Sequence, residues 1–196
     1  MAGSRKTFVL VHGAWHGGWC WRRVSDLLEA KGHKVFTPTL TGLGERSHLM
    51  RAGIDVSTHA TDVVNLMKWE RLTDVVLCGH SYGGMVVSLV AEQMAEKIGS
   101  IVFLDAFVPE NGDSMFELTN QVVRDSLMAA TARGDISVPG RPAAAFLVNE
   151  KDQAWVDSLT GPQPIGTMIE KLKLTGAREK IGKKSYIRAG AYPNPG

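Results

Sequence analysis

The stretch Val75-Val76-Leu77-Cys78-Gly79-His80-Ser81-Tyr82-Gly83-Gly84-Met85-Val86-Val87 decides the fold. It opens with a short, continuous apolar run rich in β-branched residues, the pattern of a strand buried on both faces. It closes with Val86, Val87, Val90, Ala91 and Met94, which mark a helix beginning at Tyr82. Between them, Gly79-His80-Ser81-Tyr82-Gly83 fits G-x-S-x-G. On a strand-to-helix turn this pattern places a serine hydroxyl in the open, with side chains two residues away kept minimal to avoid collision. The helix also directs the positive end of its dipole toward developing negative charge. The competing structural reading is an ordinary serine in a glycine-rich turn.

Working outward, the same strand-helix rhythm recurs. Phe8–Val11, Lys34–Thr37 and Ile101–Leu104 read as strands beside Val75–Cys78. Trp19 to Ala30 places Val24, Leu27 and Leu28 at helical spacing and ends at Gly32. Val63, Leu66 and Met67 repeat that spacing in a helix for which Ser57 or Thr58 is the expected N-cap. Strands alternating with helices predict an α/β fold, a mostly parallel sheet with helices on both faces. The rhythm breaks after Phe107. Residues 108–182 show no clear strand and hold Pro139, Gly140, Pro142, Gly161, Pro162 and Pro164, with helical patterns at Met115–Met128 and Thr167–Leu174. This reads as an inserted lid between core segments 1–107 and 183–196, the latter carrying a fifth strand at Lys184–Arg188.

A serine nucleophile needs a base, an acid that orients the base, and donors for the oxyanion. One donor is expected from the Tyr82 backbone. The other falls in the loop after the first strand, where the Ala14 N–H is placed to serve. The acid is sought at a strand end after Ser81. Asp105 closes the strand following the nucleophile strand, and a loop-capping role is its alternative. Glu92 and Glu96 read as facing solvent, and Asp113, Asp125, Asp152 and Asp157 fall in the lid.

The run His12-Gly13-Ala14-Trp15-His16-Gly17-Gly18-Trp19-Cys20-Trp21, taken with Gly79–Gly84 and Val102–Pro109, resembles the α/β-hydrolase group of small bacterial esterases, plant methylesterases and hydroxynitrile lyases. The resemblance implies an attacking Ser81 and an oxyanion hole of Ala14 and Tyr82. The lyases of that group carry a threonine where this sequence has Gly13, so Gly13 favours ester hydrolysis. The group's histidine follows a later strand. Here the six histidines are His12, His16, His33, His48, His59 and His80. The expectation is therefore a chain that lacks a C-terminal strand and helix, on the order of 40–60 residues at usual element lengths.

His80 and His12 read as packing and hydrogen-bonding residues; His33, His48 and His59 read as surface or loop positions. His16 is balanced between contacting substrate and fixing its loop. Trp15, Phe107, Trp19, Trp21, Met115, Phe116 and Trp155 are candidates to line a small, partly hydrophobic ester pocket, with Gly13 and His16 beside it. Each aromatic is also a plain core candidate.

With 196 residues and 44% hydrophobic content, the chain can bury one sizeable core. Its 22 basic and 20 acidic residues are nearly balanced, so no nucleic-acid groove is indicated. No apolar run reaches bilayer-spanning length, and no membrane partner is expected. Two cysteines, Cys20 and Cys78, are too few for a disulfide framework, so the expected location is the reducing cytoplasm. Gly42-Leu43-Gly44 lacks the third glycine of a dinucleotide motif. No Walker lysine follows Gly84, and the histidines lack metal-site spacing, so neither cofactor nor metal is implied. The expected partner is a small ester, with a homodimer admissible. Two alternatives stand: a non-catalytic binding module on this fold, and a lyase using the same serine.

Overall fold

Successive residues of a strand point to opposite faces, and the first strand shows what each face meets. The computed structural model describes residues 5–190. The first four residues and 191–196 lie outside the described residues, including Tyr192, Pro193, Pro195 and Gly196 at the expected end of the core. In chain order the first half runs β1 (Thr7–Val11), α1 (Arg22–Ala30), β2 (Lys34–Phe36), α2 (Val56–Trp69), β3 (Val75–His80), α3 (Gly83–Met94) and β4 (Ile98–Leu104). Val9 and Val11 turn toward α2 and α3, joining Val63, Met67, Val86 and Val90 in the main core. Phe8 and Leu10 turn the other way, packing with Trp21, Val35, Cys78, Val102 and Leu28 of α1. Helices therefore cover both faces of the sheet. Coverage by α1 is thin: none of its residues is buried, and Val24 and Leu27 are 40% and 66% exposed. The expected apolar stripe exists, but only Leu28 of the three packs on the sheet.

Beyond β4 the chain leaves the sheet through α4 (Met115–Leu118), α5 (Gln121–Ala132), β5 (Ser137–Val138), α6 (Glu150–Leu159), β6 (Gln163–Pro164) and α7 (Gly166–Ile169). It returns as β7 (Lys184–Ile187), paired parallel with β4. The five-stranded sheet has the order β2-β1-β3-β4-β7, and every pairing in it is parallel. From β1 the chain moves first to β2 on one side, then to β3 on the other. The carboxyl ends of β1 and β3 thus form a topological switch point, where sites gather in such sheets.

The excursion differs from expectation in four places. Two strands do occur there: β5 and β6 pair antiparallel, too short to leave a periodic signal. The helix expected at Met115–Met128 is broken at Thr119, whose extended backbone ends α4 before Asn120 caps α5. Helix α6 was unmarked in the sequence, because only Asp152 and Val156 of it are buried. The Thr167–Leu174 helix ends at Ile169, where Glu170 turns to an extended conformation. Its carboxylate accepts from the Ser57 backbone N–H (2.9 Å) and hydroxyl (2.5 Å). The N-cap of α2 is accordingly Asp55, which takes the Thr58 N–H at 2.7 Å, and neither Ser57 nor Thr58 caps it.

Candidate active site

Ser81 sits one residue beyond β3 with φ +51°, in the left-handed region that strains a side-chain-bearing residue. Its backbone is held from three sides. Its N–H donates to the Leu104 carbonyl, and its carbonyl accepts from Gly84 (3.0 Å) and Phe107 (3.2 Å). The flanking glycines are required by space. A Cβ on Gly79 would lie 2.5 Å from the Gly83 carbonyl oxygen, and one on Gly83 would lie 2.7 Å from that of Val11. The tight turn, the strained serine and the helix α3 leaving at Gly83 have the strand-turn-helix geometry expected of a nucleophile elbow.

Ala14, on the loop after β1, is buried. Among the described residues, neither the Ala14 N–H nor the Tyr82 N–H donates to a backbone carbonyl. The peptide carrying the Ala14 N–H is oriented from behind. His12 Nδ1 donates to the Gly13 carbonyl at 2.8 Å while its Nε2 accepts from the Leu40 N–H at 3.1 Å. With the Gly13 C=O drawn to His12, the Ala14 N–H of the same planar peptide points the other way. Gly13 lies against Ser81: a Cβ there would be 3.1 Å from Ser81 Cβ and from His80 Nδ1. A threonine at this position would stand beside the serine.

Asp105 is the partner of Ser81 in position and strain. His80 and Leu104 are paired neighbours, so Ser81 and Asp105 each lie one step past the same rung. Asp105 also has positive φ, +42°. Its N–H donates to Ile187 at 2.6 Å, and Oδ1 accepts from the Ala189 N–H at 3.3 Å. Asp105 thus caps the chain leaving β7, one step past the rung that Ser81 also follows.

The histidines sort as follows. His80 turns to the opposite face, edge-on to Trp21 at 6.3 Å, and burial pushes it down to about 4. His12 is buried and pushed down to about 3, chiefly by desolvation. His16 Nδ1 donates to the Ala14 carbonyl at 2.7 Å, and its ring stacks on Trp19 and meets Phe146 edge-on. His33 accepts from the Lys6 N–H, and His48 is exposed.

His59 corrects the surface reading. It is fully buried, with Nε2 on the Thr41 carbonyl and Nδ1 on the Tyr82 hydroxyl, both at 2.9 Å. A carbonyl only accepts, so Nε2 carries the proton and Nδ1 takes the phenol O–H. Tyr82 is thereby anchored through its side chain. No local pattern signals this, because His59 looks like one more polar residue near a helix start.

Among the aromatic candidates, Trp15 is buried and packs near Phe146 of the excursion at 6.0 Å. Phe107 and Phe116 are partly buried and, with buried Met115, join the main core. Trp155 is 37% exposed and meets Trp19 edge-on. Trp21 does not join them: it lies in the cluster on the opposite face of the sheet. Glu92 does not face free solvent either. It accepts from the Thr175 N–H and hydroxyl and from the Ala177 N–H, tying the returning chain to α3. The two cysteines are free thiols, pushed up by burial to about 12 for Cys20 and about 11 for Cys78. Among the described residues no cluster of His, Cys, Asp or Glu suits a metal, and no helix is long and apolar enough to cross a membrane.

A sequence model described as the alpha/beta hydrolase family matches residues 8–187. The Carbendazim hydrolyzing esterase of Nocardioides sp. (strain SG-4G) is 41% identical over 198 residues, spanning 96% of this chain and 82% of that protein. Methylesterase 1 of Arabidopsis thaliana is 39% identical over 121 residues, a match covering 56% of this chain and 43% of that protein. Among solved structures, an extracellular α/β-hydrolase from a Paenibacillus species aligns with TM-score 0.81 at 28% identity, covering 92% of this chain and 76% of that chain. That hydrolase is described as sharing structural and functional homology with tobacco Salicylic Acid Binding Protein 2.

Proposed function

The chain belongs to the alpha/beta hydrolase family, among relatives named as esterases, and on that premise we propose that it cleaves a small, partly hydrophobic carboxylic ester through an acyl-enzyme on Ser81. One observation carries the reading: a strained, half-buried serine stands beside the Ala14 and Tyr82 amides, which make no backbone hydrogen bond among the described residues. Ser81 Oγ attacks the ester carbonyl, and the two N–H groups hold the resulting oxyanion. Preorganised donors of this kind contribute about 10²–10³ each in rate. Collapse of the tetrahedral intermediate expels the alcohol, and water then releases the acid.

The serine proton must go to a base and from there to the leaving alkoxide. Among the described residues no histidine ring hydrogen-bonds to Ser81, so none of them is assigned as that base. Asp105 is assigned as its orienting acid, since it ends the strand next to that of Ser81. Residues 108–182 act as a lid, and Trp15, His16 and Phe107 line the acyl or alcohol pocket with Gly13. The bare Gly13 favours hydrolysis over cyanohydrin cleavage, because it offers no hydroxyl beside Ser81. Two free thiols fit a reducing, cytoplasmic setting.

A fluorophosphonate probe should label Ser81 of the protein, and Ser81→Ala should abolish hydrolysis of p-nitrophenyl acetate. Unchanged turnover in Ser81→Ala would defeat the proposal. Tight binding of a small ester without turnover would favour the second reading, a ligand-binding module, which the lack of a histidine bonded to Ser81 among the described residues motivates.

A further inference from the structure

Trp15 follows the oxyanion residue Ala14 and has φ +66°, a conformation that a large side chain adopts only when its surroundings impose it. Those surroundings come from the excursion. The Trp15 N–H donates to Gln163 Oε1 at 2.9 Å, and the Trp15 carbonyl accepts from the Gly161 N–H at 2.9 Å. Both backbone groups of the strained residue are thus held by residues 161–163, far from it in sequence.

Gln163 is completely buried and its amide is fully directed. The Trp15 N–H needs an acceptor, which fixes Oε1 toward it. Nε2 then donates to the Thr167 hydroxyl at 2.8 Å, and that hydroxyl donates to the Pro164 carbonyl at 2.7 Å. Thr167 is also completely buried. A buried chain in which Gln163 Nε2 donates to Thr167 and Thr167 donates onward to Pro164 holds the amide in one orientation. The β5–β6 pairing, which includes Gln163 itself, holds the segment in place.

We infer that Gln163 is a positioning residue for the oxyanion hole: through Trp15 it holds the Ala14 amide in its productive direction. The excursion therefore supports the catalytic loop as well as covering it. The inference rests on the hydrolase reading above for its effect on rate, while the link between Gln163 and Trp15 stands on geometry alone.

The test compares Gln163→Leu with Gln163→Glu. The leucine removes the acceptor; the glutamate keeps an oxygen for the Trp15 N–H. With concentrations set by fluorophosphonate titration of Ser81, kcat for p-nitrophenyl acetate should fall about 10- to 100-fold in Gln163→Leu, the scale of a misplaced catalytic group. KM should stay within about threefold, and Gln163→Glu should recover most of the loss. Hydrogen exchange at the Trp15 amide should quicken in Gln163→Leu. A folded Gln163→Leu protein with unchanged kcat overturns the inference, and so does an unchanged Trp15 exchange rate. If the leucine variant fails to fold, Thr167→Val, which removes the partner of Nε2 together with the donor to the Pro164 carbonyl, should show a smaller fall in kcat in the same direction; no fall overturns it. If the unaltered protein shows no Ser81-dependent turnover, the hydrolase reading fails, and the Trp15 exchange rate still decides the structural link.

Discussion

At Ser81 the backbone and the hydroxyl have separable effects. A left-handed conformation costs a residue with a Cβ about 1–2 kcal/mol, whereas glycine adopts it freely. Ser81→Ala removes the hydroxyl and keeps the strain; Ser81→Gly removes both. Urea unfolding should therefore find Ser81→Gly more stable than Ser81→Ala by up to about 1 kcal/mol, after the extra chain entropy of glycine is set against the relief. Both variants should be inactive. Equal stability of the two would mean that the φ of +51° stores nothing. The strained serine was legible because its neighbours must be glycine. The positive φ of Asp105 was not, since nothing flanking it announces a turn of that hand. His59 and Gln163 were illegible for a related reason. A buried polar side chain is defined by partners distant in sequence, and only tertiary packing brings Tyr82 to His59 or Trp15 to Gln163.

At the level of elements, the parallel core was readable from apolar runs because strands buried on both faces carry a continuous signal. The excursion was not, since its helices are short and half-exposed, and its two-residue strands have no period to detect. The N-terminus of α2 shows what replaces periodicity there. Asp55 caps it locally, while Glu170, arriving from the excursion, accepts from the next exposed amide. Two carboxylates at a helix start satisfy orphan donors and complement the helix dipole. Asp55→Ala should cost about 0.5–2 kcal/mol, and Asp55→Asn distinctly less, because asparagine remains a good cap. Thermal unfolding of the two variants checks this; equal losses would assign the effect to the charge and not to the cap. Arg23 of α1 meets Asp152 of α6 through paired contacts of 2.9 and 2.8 Å, with its guanidinium over Trp155. Asp152→Asn removes one acceptor oxygen, and hydrogen exchange across Glu150–Leu159 should quicken while β1 and β3 keep their protection. Uniform change across the sheet would show that α6 does not open as a separate unit.

At the scale of the whole molecule, three histidines are held in an unusual state, and that sets the response to acid. Burial holds His12 down to about 3, and His59 and His80 down to about 4, against an ordinary value of 6.5. All three are therefore neutral in the folded protein near neutral pH. In the unfolded chain each takes up a proton below about pH 6.5. Across that window the unfolded state binds more protons than the folded one, so stability rises with pH and falls as pH drops. The stabilising contribution is complete above about pH 6.5. It is lost progressively down to about pH 4 for His59 and His80 and to about pH 3 for His12. Each histidine changes stability by about 1.4 kcal/mol per pH unit once its unfolded form is protonated. Glu92, Glu117, Asp152 and Glu179, held below their ordinary carboxylate values, add losses of the same sign only in stronger acid. Between pH 6.5 and 5 the slope belongs to the histidines. Since domains of this kind are stable by only about 5–15 kcal/mol, acid unfolding should begin well above pH 4. The measurement is the free energy of urea unfolding at pH 7, 6 and 5, for the protein and for His59→Gln. The glutamine should lower stability at pH 7, because it disturbs the bonds to Thr41 and Tyr82. It should also flatten the pH slope by one proton's worth. A stability curve level from pH 6.5 to 5, or a His59→Gln curve parallel to the original, would show that the buried imidazoles do not govern the acid response.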